Sequence, residues 1–191
     1  QSALFTKVNL NSEEFEAVKR DLQYQYQVKC SPGQSILNDY EQEKWYDEIK
    51  SSIEPKFWNR YKDYLIDIKH FSPNVVNTLG DETLDEKLMN CVGNPKSESN
   101  FLKRGLIIGD VQSGKTSTYI GLMCKAADAG YKVFILLTGT IESLRRQTQE
   151  RVEEGFVGID MSSKGDVRVG VGLDGKPLFA KALTSRQRDF T

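Results

Sequence analysis

Apolar positions along the chain follow two different rhythms. In the first hundred residues they recur every three or four positions. Phe15, Val18, Leu22 and Tyr26 form one such stripe in a segment over 11–28, where Asn11 and Glu14 stand at the spacing of a capping pair. Trp45, Ile49 and Ile53 form a second stripe, on a helix expected over 39–52. Pro55 suits a first helical turn, and Phe57, Tyr61, Leu65 and Ile68 follow it as a third. Thr83 and Glu86 can cap a short helix carrying Leu84, Leu88 and Met89. Such stripes bury a helical core, or else offer a face to a partner.

The rhythm changes after NPKSESN, residues 94–100, whose composition marks a linker. GLIIG (105–109) is too short for a helix and has the character of a buried parallel strand. STYIGLMCKAADAG is built of helix formers and stops at Gly130. YKVFILLTG (131–139) reads as a second strand. TIESLRRQTQERVEEG reads as a helix closed by glycine, with Ile141, Leu144 and Val152 as core candidates. Strand, loop, helix, strand, loop, helix implies a right-handed crossover and a parallel sheet. The last stretch, DVRVGVGLDGKPLFAKAL, alternates, and Asp174-Gly175 signals a hairpin. The expected organisation is α/β: an N-terminal helical domain over 1–95, then a partial P-loop NTPase domain over 101–191 holding the first part of a RecA-like parallel sheet.

Composition narrows the picture. The chain has 191 residues, 38% hydrophobic and 10% aromatic, enough for a medium core and against global disorder. It has no apolar run of membrane-spanning length and no signal-peptide pattern, so no membrane partner and a cytoplasmic setting are expected. Its first residue is Gln1, which reads as a fragment of something longer. Cys30, Cys91 and Cys124 are widely spaced and His70 stands alone, which argues against disulfide scaffolds and metal clusters. Residues 1–100 carry 12 basic and 17 acidic side chains, net −5; residues 101–191 carry 14 and 10, net +4. The positive second half is compatible with an anionic ligand or nucleic acid but is well short of a basic DNA-binding footprint.

The candidate chemistry lies in GDVQSGKT, which matches G-x-x-x-x-G-K-[ST]. A polyphosphate is held by backbone N–H groups that close around it, so bulky side chains must be absent where the chain approaches. Gly109 and Gly114 supply that freedom, and Gly114 permits positive φ. Lys115 can reach β- and γ-phosphate oxygens, and Thr116 can place its hydroxyl on Mg²⁺. The cradle runs from Gly109 through Asp110, Val111, Gln112, Ser113, Gly114, Lys115 and Thr116 to Ser117, where the helix N-terminus adds its positive end. The expected ligands are ATP and Mg²⁺, with Lys115 and Thr116 as catalytic residues and Thr116 as the metal ligand. Asp110 places a negative charge beside the phosphates, so its side chain must turn away or meet a cation. The bland alternative is a glycine-bearing strand-to-helix turn. By chance alone the motif would appear in a chain of this length roughly once in a hundred.

Further along, Thr138-Gly139-Thr140 ends the second predicted strand, and Leu144 and Gln147 follow on the helix. This layout resembles the second conserved block of superfamily-two helicases, where a strand-end Thr precedes L-x-x-Q and holds a nucleic-acid phosphate. The resemblance makes Thr138, Gly139, Thr140 and Arg145 candidate DNA contacts; Arg145 and Arg146 on a solvated helix face are the plain alternative. The whole segment GDVQSGKTSTYIGLMCKAADAGYKVFILLTGTIESLRRQTQERVEEGF is similar to the opening ATPase segment of the Z-one domain family, over roughly residues 101–160. ALTSRQRDF (182–190) looks like a later block of that family.

Those bacterial proteins are described as endonucleases or helicase-like ATPases of restriction-modification and phage-defence loci. The resemblance implies ATP hydrolysis coupled to DNA, with other defence proteins as partners. It also implies that the acidic magnesium-holding block lies beyond Thr191; within the chain Asp160 is the nearest candidate. No arginine finger or nuclease constellation is visible, so the fragment alone is expected to hydrolyse little. A P-loop small-molecule kinase and a nucleotide-sensing scaffold without turnover remain the other readings.

Overall fold

The computed structural model describes residues 44–97, 101–109, 114–162, 165 and 167–187. The helix expected over 11–28 lies outside them. Five helices carry the architecture: α1, Trp45–Ile49; α2, Lys56–Asp63; α3, Pro73–Asn77; α4, Lys115–Ala129; and α5, Glu142–Val152. Three of them continue as wider π-type turns, α2 through Tyr64–Ile68, α3 through Thr78–Leu88 and α5 through Glu153–Val157.

Sequence explains the boundaries. Before α3, Ser72 accepts the Val75 N–H at 3.4 Å and Pro73 fills the first turn, so the helix begins ten residues ahead of Thr83, where a cap had been expected. The α4 helix ends where Gly130 takes φ 122° and donates its N–H to the carbonyls of Ala126 and Ala127. The α5 helix passes through Gly155 and stops at Gly158, at φ 87°.

One aromatic-rich core joins these elements. Trp58, Tyr61, Tyr64 and Leu65 from α2 and its extension meet Val76 and Leu84, then Ile120, Met123 and Cys124 of α4, then Phe156, Val157 and Val171. It therefore draws on residues from both sides of the 94–100 stretch. A smaller cluster gathers Trp45, Tyr46, Met89 and Ala129. The approach of α4 is close: a Cβ at Gly121 would stand 2.7 Å from Leu84 Cδ1 and 3.3 Å from the Trp58 ring.

The parallel sheet expected for an α/β, RecA-like domain is absent: among the described residues there is no strand, only a single antiparallel bridge between Ile159 and Arg168. The described fold is helical. Residues 101–109 and 131–139 carry no regular structure and form no strand ladder with any described residue. Their aliphatic side chains lie in solvent, with Leu106 84%, Ile108 87%, Ile135 80% and Leu137 94% exposed. A strand is defined by its ladder, and β-rich composition alone does not supply one. Here the aromatic side chains of α2 fill the space against α4 that a buried sheet would occupy. Each run is tied at its start: the Phe101 ring sits against Gly93, and the Tyr131 hydroxyl donates to the Gly93 carbonyl at 2.7 Å.

Two smaller expectations are also corrected. Asp174-Gly175 does not turn a hairpin; Gly175, at φ 73°, ends a 3₁₀ turn over Gly170–Asp174. Ile141 and Leu144 are not core residues, at 61% and 47% exposed, because α5 buries the face bearing Gln149 and Glu153 instead. Val152, by contrast, packs against the main core.

Candidate functional site

The site is organised by the start of α4. Its anchor is the buried stripe Ile120, Met123 and Cys124, which fixes the helix on α2 and α3. Gly114 precedes the first helical residue with φ 82° and ψ 14°, a left-handed conformation that a side chain would strain. The Gly114 carbonyl already belongs to the helix, accepting the Thr118 N–H at 3.0 Å and the Thr118 hydroxyl at 3.2 Å. Backbone amides ahead of Thr118 have no helical acceptor and point out of the helix end, where its dipole is positive. A Cβ built at Gly114 would meet nothing within 4 Å, so the space in front of the turn is open.

The Lys115 side chain curls back over this space. Its ammonium donates to the Gly109 carbonyl at 2.6 Å. Gly109, Gly114, Lys115 and Thr116 are exposed, and Ser117 is half-buried, its carbonyl accepting the Tyr61 hydroxyl at 3.5 Å. Asp110, Val111, Gln112 and Ser113 lie outside the described residues. The arrangement can present a cation, a hydroxyl and helix-end amides to an anion, and these residues suit a polyphosphate with its magnesium ion. No group of three or more metal-ligating side chains occurs among the described residues.

One turn further on stands Tyr119, whose phenol burial pushes above the ordinary value, while Thr116 and the Arg151 charge pull the other way. Tyr119 lines an open groove of about 380 Å³ with Leu136, Leu137, Thr138, Gly139, Leu144, Gln147 and Thr148. The structure thus places Tyr119 beside Thr138-Gly139, a proximity that the sequence did not reveal.

The residues considered for DNA stand on either side of the start of α5. Thr138 donates its hydroxyl to the Gly139 carbonyl at 3.4 Å, and Thr138, Gly139 and Thr140 are exposed. Arg145 is engaged inside the protein. It makes two 2.8 Å bonds to Glu142 and donates to the carbonyls of Ser185 at 2.9 Å and Arg186 at 2.7 Å. Those carbonyls belong to a segment strapped along α5. Gln149 holds Thr184 through side chain and backbone, and Glu153, fully buried, receives the Arg186 guanidinium at 3.2 Å. Arg145, Gln149 and Glu153 stand four residues apart on one helix face, and that spacing was the available signal for a strap site. Asp160, the nearest acidic candidate for magnesium, lies in this cluster 3.7 Å from Arg186.

Compared with known proteins, the chain finds no counterpart: no family model, no curated protein and no solved structure matches it. Among the described residues no helix is long and apolar enough to cross a membrane.

Proposed function

We propose that residues 109–117 form a nucleotide-binding P-loop that takes ATP with Mg²⁺. The observation that carries this reading is the 2.6 Å contact from Lys115 Nζ to Gly109 O, made across a loop that enters α4 through left-handed Gly114. A lysine beside a glycine-entered helix N-terminus presents a cation and free amides that suit linked phosphates. On binding, the ammonium exchanges the carbonyl for β- and γ-phosphate oxygens. Thr116 would hold Mg²⁺ through its hydroxyl, and the ion would supply charge neutralisation to the phosphates. The amides of the helix end then face the charge that develops as the terminal phosphoryl group departs.

From the sequence resemblance of residues 101–160 to the Z-one domain family alone, we further propose a helicase-like ATPase of DNA restriction and phage defence, in which hydrolysis drives movement on DNA. The net charge of +4 over residues 101–191 suits a polyanionic partner. A fluorescent ATP analogue titrated into the chain with Mg²⁺ tests the core of this reading. Saturable binding is expected, weakened at least about tenfold in Lys115→Ala, because a charged phosphate contact is lost. The thermal transition should stay in place, since Lys115 is exposed. Equal affinity in the two proteins would refute the assignment. DNA-stimulated ATP turnover by a longer protein containing this segment, abolished by the same substitution, tests the coupling.

A further inference from the structure

We infer that the strap over residues 184–187 is a latch that holds the first half of α5 closed over the groove beside α4. The two halves of α5 are anchored differently. Val152 packs against the main core, and Phe156 and Val157 of the continuing turns lie within it. Earlier in the helix Glu142, Ser143, Leu144, Arg146 and Gln147 are exposed. Residues 142–148 lean on the open groove through Leu144, Gln147 and Thr148, with Tyr119 and Leu136 among its other walls. Leu144 and Thr148 are four residues apart and share this face; Arg145 and Gln149, also four apart, share the next one and meet the strap. Groove and strap thus grip two sides of the same turns.

The strap is fastened by polar contacts. Arg145 donates to the carbonyls of Ser185 at 2.9 Å and Arg186 at 2.7 Å. Gln149 donates to the Thr184 carbonyl at 3.0 Å and accepts the Thr184 hydroxyl at 2.7 Å. The Arg186 guanidinium returns the grip, 3.2 Å from Glu153, 3.7 Å from Glu150 and 3.7 Å from Asp160. Lifting the strap withdraws that cation from three acids gathered around it, which then repel one another. Little apolar burial is lost in the same step. Leu183 is 64% exposed, and of residues 184–187 only Ser185 is buried, a side chain with little apolar surface. Closure is therefore set by charge and hydrogen bonding, and salt weakens it.

The test follows amide hydrogen exchange over residues 142–149 in the whole chain, with α4 as the internal reference. Arg145→Ala removes the contacts to the strap carbonyls, while alanine, the better helix former, favours the helix itself. Thr184→Val keeps the side-chain shape and removes the hydroxyl. Arg146→Ala, which loses only its ion pair with Glu142, is the control. Exchange over 142–149 should quicken about tenfold in Arg145→Ala and about fivefold in Thr184→Val, the sizes of lost charged and neutral hydrogen bonds. It should be unchanged in Arg146→Ala and throughout α4. Raising salt from about 0.1 to about 1 M, which shortens the screening length from about 10 to about 3 Å, should quicken the same segment in wild type. Fluorine NMR of protein labelled with 3-fluorotyrosine reads the groove. The Tyr119 resonance, assigned through Tyr119→Phe, should shift in Arg145→Ala and stay in place in Arg146→Ala. Unchanged exchange in both strap variants would overturn the proposal. Equal quickening of α4, the mark of global loosening, would also overturn it, as would a Tyr119 resonance indifferent to the strap.

Discussion

At the scale of single residues, electrostatics is concentrated in a few well-satisfied groups. Glu142 is the sharpest case. Hydrogen bonds from Arg145 and Arg146, and their charges, hold its carboxyl down at about 2 against an ordinary value of 4.5. The folded protein therefore keeps this carboxylate ionised at acidities where the unfolded chain has already taken up a proton. The stability it contributes is complete above about pH 4.5 and is lost as pH falls toward 2. Carbon-detected titration of Glu142 should show a midpoint near 2, moving toward 4.5 in Arg145→Ala. A midpoint of 4.5 in wild type would mean that the α5 ion pairs do not persist in solution. The start of α4 behind left-handed Gly114 was legible at this scale, because a glycine followed by lysine and threonine at that spacing calls for a loop that turns into a helix. The place of Tyr119 in the groove beside Thr138 was not, since a tyrosine on a helix is ordinarily a packing residue and nothing in its spacing distinguishes it.

At the scale of elements, helices depend on partners distant in sequence. The start of α2 has no cap of its own: Pro55 precedes it and contributes no side-chain hydrogen bond. The Asp128 carboxylate from α4 supplies what is missing, accepting the Phe57 N–H at 2.8 Å and the Trp58 N–H at 2.9 Å. Burial raises the Asp128 carboxyl above its usual range, and these amides pull it back. Replacing it with alanine should cost about 1–2 kcal/mol, the range for loss of a helix cap. Urea denaturation would register this as a lower midpoint with unchanged slope; an unshifted midpoint would show that the first turn of α2 carries no weight.

Over the described residues 44–97 helical periodicity was a good guide, although Ile68 at the end of its stripe is exposed. Tyr61, Leu65 and Leu84 all reached the core, because a stripe at that spacing has one efficient way to be buried. The aliphatic runs misled. GLIIG and VFILL have the chemistry of strands, but pairing is a relation between segments, and no local pattern declares whether a neighbour will be present. Ile141 and Leu144 misled for a related reason: α5 satisfied the polar strap that crosses it rather than presenting its aliphatic edge inward.

At the scale of the whole molecule, one buried cation fastens the far parts of the chain together. Arg60 on α2 is almost fully buried. It forms a fork with Asp174 through two 3.0 Å bonds, and donates to the carbonyls of Val171 at 2.7 Å and Pro177 at 3.2 Å. Phe179 lies against its guanidinium at 5.2 Å. Lysine has the same charge but cannot reproduce the fork or the stacking. Arg60→Lys should therefore lower stability by about 3 kcal/mol, as expected when a buried pair loses its geometry. Chemical denaturation measures this directly, and a loss below about 1 kcal/mol would show that the turn at Gly170–Asp174 is held by packing alone.

The Arg60 contact also has a consequence in time. Its acceptor at Asp174 comes 114 residues later. At roughly 5–20 residues per second, a ribosome needs on the order of ten seconds to deliver that partner after Arg60 has been made. During that interval the nascent chain holds α2 with its guanidinium still hydrated, and the main core cannot close. Maturation of this fold is gated by translation of its late glycine-rich turn, and a pause or a stop before codon 174 leaves the early helices waiting for an anchor.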